Sequence, residues 1–439
     1  RPLLLHESGG ASTEAIVAEP FPPSPLRVPR RTAFQSLVRR RLHAALARLR
    51  AGELELHEGS ELHRFGATGR DGLRAHIDVR DPAFYSRLAR GGTLGGAESW
   101  MRGEWEASDL TAVLRMMARD ADVLAGFDAG LSRAADPARR LLHWLRRNSR
   151  RGAQRNIAAH YDLGNEFFSL FLDPTLTYSC GVFERADATM EEASLAKYDR
   201  LCRKLALGPD DHVLEIGTGW GGFCVHAASR YGCRVTSTTI SAEQRRLASE
   251  RVAAAGVADR VTVLGRDYRD LEGCFDKLVS IEMIEAVGAA HLPAYFRACG
   301  ERLAPGGRAA IQAIVVPDQQ YERARRTVDF IKRYVFPGGH LPSIGALVGA
   351  AARASDLRLA DLEEITPHYA ETLRRWRDRF LANVDRVRRI GYPERFVRMW
   401  EYYLRYCEAG FEERTIAVVQ LVFERPTGRA PAAAQSAPA

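Results

Sequence analysis

The stretch Val213-Leu-Glu-Ile-Gly-Thr-Gly-Trp-Gly221 constrains this chain more than any other. An apolar run ends in the acid Glu215, glycines follow at alternate positions 217, 219 and 221, and Gly222 to Arg230 is compatible with a helix. That order specifies a strand, a tight turn and a helix, with glycines where the backbone must pass close to a ligand. The pattern is Glu-x-Gly-x-Gly-x-Gly. It differs from the dinucleotide-binding Gly-x-Gly-x-x-Gly, and no Lys-Ser/Thr pair follows as it does in a phosphate loop. An acid just before the glycines suits a cationic ligand, such as one carrying an amino group.

The surrounding chain alternates between the two periodicities. Strands are predicted at 211–216, 233–238, 261–264, 276–281 and 308–314, with helices at 195–206, 221–231, 242–256 and 289–303. Strands separated by helices of this length give an α/β fold, a mostly parallel doubly wound sheet covered on both faces. Ligands in such folds sit at the carboxyl ends of the strands, which is where the glycine turn lies. A β-rich run, Thr415 to Phe423, follows a long helical insert at about 319–408. Residues 32–128 read as a smaller mixed α+β domain. It has a helix from Thr32 to Arg50, a strand pair at Gly52–His57 and Leu73–Val79, and later helical stretches, with Gly91 to Trp100 as a loop and helix start.

Residues 1–31, with clustered prolines, and 427–439, rich in Ala and Pro, read as disordered. Residues 129–155 form a basic helical linker in which Arg139, Arg140, Arg146, Arg147, Arg150, Arg151 and Arg155 interleave with Leu141, Leu142, Trp144 and Leu145. Such a stretch suits a membrane interface, and equally a solvated helix docked by its apolar side.

The length of 439 residues implies two domains plus tails, and 46% hydrophobic residues suffice for a sizeable core. Sixty-three Lys and Arg against 55 Asp and Glu leave a formal charge of +8, which favours an anionic partner, nucleic acid or a membrane surface. The seven cysteines are scattered and form no Cys-x-x-Cys pair, so neither a disulfide framework nor a metal site is expected, and a reducing cytoplasm is the expected compartment. No run approaches the ~20 apolar residues that span a bilayer.

Five motifs then occur in a fixed order. They are Tyr161-Asp-Leu-Gly-Asn-Glu-Phe-Phe168 running on to Leu176-Thr-Tyr-Ser-Cys-Gly-Val-Phe183, and the glycine turn. Next come Asp267-Tyr-Arg-Asp270 with Ser280-Ile-Glu-Met-Ile-Glu-Ala-Val-Gly288, Phe330-Ile-Lys-Arg-Tyr-Val-Phe-Pro-Gly-Gly-His-Leu-Pro-Ser343, and Tyr403-Leu-Arg-Tyr-Cys-Glu-Ala-Gly-Phe411. Together they resemble the cyclopropane-fatty-acyl-phospholipid synthases and their mycolic-acid relatives over about 155–424. The resemblance implies a class I Rossmann-like methyltransferase domain at 156–426, with the insert forming a lipid tunnel and the N-terminal domain binding lipid. It implies transfer of a methyl(ene) group from S-adenosylmethionine to the cis double bond of a membrane phospholipid's unsaturated acyl chain. The resulting carbocation loses a proton to a bound bicarbonate ion and closes to a cyclopropane. An anionic membrane surface at the inner face of the membrane and a homodimer are further expectations, with no role for nucleic acid.

Carried over by position, Glu285, Cys180, Tyr369 and Gln312 would hold bicarbonate with side chains, and Ile314 with its backbone. The best-described members carry His where this chain has Gln312, whereas plant-type cyclopropane synthases and methylene-branching methyltransferases carry Gln; a glutamine amide donates a hydrogen bond but cannot shuttle a proton at neutral pH. For the cofactor, Gly217, Gly219 and Gly221 would give backbone room and Glu215 would meet the ammonium. Tyr178 and Ser179 would close over the methionine end, Thr239 and Gln244 would contact ribose and carboxylate, and Asp267 and Tyr268 would grip adenine. Gln312 leaves a methylene- or methyl-branched product open. An amine N-methyltransferase, or a lipid- or nucleic-acid-binding module without chemistry, are the other readings.

Overall fold

The computed structural model describes residues 30–69, 71–123, 127 and 163–428. The basic stretch 129–155, nearly all of the N-terminal segment 1–31 and most of the tail after 427 lie outside them.

The N-terminal unit begins with α1 (Ala33–Leu46), capped by Thr32, whose hydroxyl accepts the Gln35 N–H while the Gln35 side chain bonds back to the Thr32 N–H. Strands β1 (Glu53–Glu58), β2 (Glu61–Gly66) and β3 (Arg74–Val79) follow, then α2 (Ala83–Met101), β4 (Trp105–Ala107) and α3 (Leu110–Arg119). The sheet order is β2-β1-β3-β4, with β1 and β3 parallel. The expected strand pair is therefore present, and β2 and β4 are additions. Helix α2 runs through Gly91 to Trp100, where a loop was expected, because only Gly92 leaves helical geometry (φ 58°, ψ −142°). Arg39 on α1 pairs with Glu58 and Glu61. Buried Glu58 resists burial's upward push: hydrogen bonds from His43, Tyr85 and Arg39 hold its carboxyl at about 2.

The C-terminal unit opens with α4 (Gly164–Ser169) and α5 (Met190–Leu205), and then alternates β5 (His212–Ile216), α6 (Gly222–Tyr231), β6 (Arg234–Thr238), α7 (Ala242–Ala254), β7 (Val261–Leu264), β8 (Phe275–Ile281), α8 (Leu292–Arg302) and β9 (Leu303–Val315). The expected insert contains α9 (Asp318–Arg326), one π-helical turn at Ile331–Val335, α10 (Ile344–Ala354), β10 (Arg358–Glu364), α11 (Thr366–Ala382), α12 (Val384–Arg389) and α13 (Glu394–Glu412), and β11 (Ala417–Glu424) closes the sheet. The order is β10-β11-β9-β8-β5-β6-β7, parallel from β9 through β7, with β11 antiparallel between β10 and β9. The insert is thus not wholly helical: β10 is an edge strand of the main sheet.

The two units share one apolar core. Trp400 on α13 packs edge-on to Phe167 at 4.8 Å, in a cluster continuous with Leu54, Leu88 and Trp105. Trp100 Nε1 donates to the Arg398 carbonyl at 3.1 Å, and Arg398 returns bonds to the Trp100 carbonyl and to Glu106.

Candidate active site

Strand β5 delivers the glycine turn to the edge of a cleft at the carboxyl ends of the parallel strands. Gly219 has φ +54°, and a Cβ placed there would meet nothing within 4 Å, because it would point into the open cleft. Gly221 differs from expectation: it caps α6, and its Cβ would come 3.2 Å from that of Ala248, so its absent side chain lets α6 cross α7 rather than making room in the cleft.

Glu215 is buried at the end of β5, with its carboxylate accepting from Ser237 Oγ at 2.5 Å. Burial pushes its carboxyl up to about 8, opposed by the Ser237 hydrogen bond and the Lys197 charge. Thr239 Oγ1 donates to Gln244 Oε1 at 2.9 Å, and both side chains line the cleft. Asp267 and Tyr268 line it too, with the Asp267 carboxylate already held by Arg269 (2.6 and 2.8 Å) and the Tyr268 ring edge-on to Tyr295. The Tyr178 hydroxyl bonds that of Tyr403 at 2.8 Å. Ser179 Oγ accepts from Lys197 Nζ at 2.7 Å.

A second centre lies at the end of β8. The register pairs Ile281 with Gln312 on β9, and Gln312 with Gln420 on β11. Glu282 then turns sharply, with φ +48°, a left-handed conformation that favours glycine. This swings its carboxylate against three donors. Oε1 accepts from the Cys180 N–H at 2.9 Å and Gln312 Nε2 at 2.8 Å, and Oε2 accepts from the Tyr369 hydroxyl at 2.6 Å. Gln420 Nε2 donates to Gln312 Oε1 at 3.0 Å, which keeps the Gln312 amide nitrogen aimed at the carboxylate.

Glu285 stands apart from this trio. Its Oε1 accepts the Ile314 N–H at 2.6 Å, and its buried Oε2 has no hydrogen-bond partner among the described residues. Burial, then the nearby Glu282 charge, push its carboxyl up to about 8, so it holds its proton at neutral pH.

The five residues expected around bicarbonate are therefore together but divided. Ile314 serves Glu285 through its backbone, while Cys180, Gln312 and Tyr369 serve Glu282. Cys180 contributes its peptide N–H; its thiol is fully buried, and burial pushes it well above the usual range. Bicarbonate does not fit beside Glu282, because the N–H and O–H groups that would hold it already meet a carboxylate.

Both centres open on one cavity of about 1190 Å³. It passes from Gly219 and Gln244, past Glu282 and Glu285, between Tyr402, Tyr403 and Phe336, and ends among Leu42, Leu54, Ile77 and Phe84 of the N-terminal unit. Its polar end holds the carboxylates, and its far end is aliphatic.

Residues 148–421 match the mycolic acid cyclopropane synthetase family. The chain belongs to that family. It is an S-adenosylmethionine-dependent methyltransferase. Among relatives, it is 43% identical over 367 residues to the tuberculostearic acid methyltransferase UfaA1 of Mycobacterium tuberculosis, covering 79% of this chain and 83% of that one. It is 36% identical to the cyclopropane-fatty-acyl-phospholipid synthase of Escherichia coli K12, covering 83% and 91%. The solved structure of mycolic acid cyclopropane synthase CmaA1 complexed with SAH and CTAB superimposes with a TM-score of 0.59 at 32% identity, covering 62% of this chain and 98% of that one. The sheet order and the cleft at its carboxyl edge are those of the class I methyltransferase fold.

Sequence reasoning missed Glu282 and Lys197. Glu282 lies three residues before Glu285 in the same motif, at the carboxyl end of a strand, which is a legible position. Lys197 sits on the buried stripe of α5 with Ala193, Ser194 and Leu201. Burial lowers it to about 8, against the Glu282 charge.

Proposed function

We propose that this chain methylates the cis double bond of an unsaturated acyl chain carried by a membrane phospholipid. The observation that carries the reading is the single cavity that joins the glycine turn, the buried carboxylates and an aliphatic end built partly by the N-terminal unit. S-adenosylmethionine, when bound, supplies an electrophilic methyl group. The residues fit it: the open space at Gly219 admits the methionine portion, and buried Glu215 offers its carboxyl group to the ammonium, whereas the expected room at Gly217 is taken up by the Met283 side chain, 3.1 Å from where a Cβ would stand. In this reading Thr239 and Gln244 contact the ribose and the carboxylate, Asp267 and Tyr268 grip the adenine, and Tyr178 and Ser179 close over the methionine end.

An alkene is a weak nucleophile, so the chain's task is to align it with the methyl donor and exclude water. Tyr178, Tyr369 and Tyr403 offer aromatic faces that stabilise positive charge on the lipid. Around α1, Arg40 and Arg41 stay exposed beside exposed Phe34 and Leu37, which supports an N-terminal unit that meets an anionic membrane surface. No helix among the described residues is long and apolar enough to cross a membrane. A homodimer belongs to the same reading, and light scattering of the purified protein reads its mass.

A second reading, a methylene- or methyl-branched product, is favoured by Gln312 and by the 43% identity to a protein named tuberculostearic acid methyltransferase. Mass spectrometry of lipids after incubating protein, cofactor and cis-unsaturated vesicles, before and after mild catalytic hydrogenation, separates them. A gain of CH2 that resists hydrogenation gives the ring, a gain of CH2 that takes up hydrogen gives the methylene branch, and a gain of CH4 that resists hydrogenation gives the methyl branch. No gain on any lipid refutes the lipid reading and returns the amine alternative.

A further inference from the structure

We propose that Glu282 is the catalytic base, a carboxylate built into the chain at the place where the family resemblance puts bicarbonate. This rests on the lipid-methylation reading above, and four observations carry it. Glu282 lines the cavity, whereas Cys180 and Gln312 lie behind it. The Cys180 N–H, the Gln312 amide and the Tyr369 hydroxyl, from three residues expected around a free anion, converge on its two oxygens. Gln312 is itself braced by Gln420, its cross-strand partner. The backbone at Glu282 is left-handed, at φ +48°, a conformation in which a glutamate is strained and glycine is not.

The lone pairs settle which oxygen acts. A carboxylate offers about four acceptor sites. Among the described residues Oε1 takes two bonds, from Cys180 and Gln312, and Oε2 takes one, from Tyr369, which makes Oε2 the less occupied oxygen. Once the alkene has gained the methyl group, the neighbouring lipid carbon carries the positive charge. Glu282 Oε2 takes a proton from the added methyl carbon, and the electron pair of that C–H bond closes the three-membered ring. The lipid becomes neutral and Glu282 becomes a carboxylic acid, which returns its proton to solvent before the next turnover. Burial pushes the Glu282 carboxyl up, and the hydrogen bonds from Tyr369, Cys180 and Gln312, with the charge of fully buried Lys197, oppose that push.

The test combines bicarbonate dependence with a variant that empties the site. Glu282→Gly removes the carboxylate and suits the left-handed backbone, so it leaves the fold intact. The wild-type rate of lipid methylation should change by less than about twofold between carbonate-depleted and bicarbonate-supplemented buffer. Glu282→Gly should turn over at least ~100-fold more slowly and recover roughly tenfold or more with added bicarbonate, the general-base contribution being of that order. Isotope-labelled bicarbonate followed by NMR should bind Glu282→Gly and not the wild type. A wild type that needs added bicarbonate, or that binds the labelled ion, overturns the proposal, as does Glu282→Gln with undiminished turnover. Because the NMR readout needs no lipid substrate, failure of this proposal is distinguishable from failure of the lipid reading.

Discussion

At position 219 the backbone is left-handed and the missing side chain faces open cleft, so two independent constraints demand glycine. Gly219→Val should strain the turn and fill the space beside the ligand, and calorimetry should show S-adenosylmethionine affinity lowered by ~100-fold, about 3 kcal/mol. Normal affinity would displace the cofactor from this cleft. Glu285 makes a different prediction. Burial pushes its folded carboxyl up to about 8, against 4.5 for an ordinary glutamate, so folding holds a proton that the unfolded chain releases. Stability from this group is complete below about 4.5, falls as pH rises toward 8 and is flat beyond. Glu285→Gln should therefore flatten the loss of thermal stability between pH 5 and 8, lower turnover and leave cofactor affinity within about twofold; an unchanged rate would remove Glu285 from the chemistry. Glu285 was legible in the sequence because a motif surrounds it. Glu282 was equally visible in that motif, but its partners were not, because a strand register and a backbone turn bring three distant donors onto one side chain.

Among the elements, the central strands were legible because each is a short apolar run between helix signals, as in β5, whose last four residues are all buried. The misses have physical causes. Strand β10 is acidic and lies at the sheet edge, paired on one side only, so it carries little of the apolar signal of a strand. Strand β2 is largely exposed, and its pattern is set by pairing with β1 rather than by burial. In α2 the Gly-rich run resembles a loop, yet contacts on both sides keep it helical except at Gly92. Helix α13 joins the two units, with Trp400 only 1% exposed against Phe167 and Phe171. Trp400→Ala should cost about 3–5 kcal/mol. Because the core is shared, urea unfolding followed by circular dichroism should still show one transition; two separated transitions would mean that the units are independently stable.

For the whole molecule, the formal charge of +8 and the exposed Arg40 and Arg41 beside Phe34 and Leu37 set the expectation for membrane contact. Each well-placed basic residue near an anionic surface contributes about 1 kcal/mol, screened by salt. Co-sedimentation with vesicles should rise with anionic lipid content and fall as salt increases; indifference to both would refute an electrostatic role. Arg39 does not contribute to that expectation, since it is held by Glu58 and Glu61. The central claim joins a cofactor cleft and a lipid tunnel in one cavity, and label transfer between them tests it most directly. Purified protein is incubated with S-adenosylmethionine deuterated on its methyl group and with cis-unsaturated phospholipid vesicles, and the recovered acyl chains are weighed. A one-carbon gain that keeps all but one of the methyl deuteriums is the predicted result, since one is lost to the base. Acyl chains that carry no deuterium, from protein that binds the cofactor, would contradict the account.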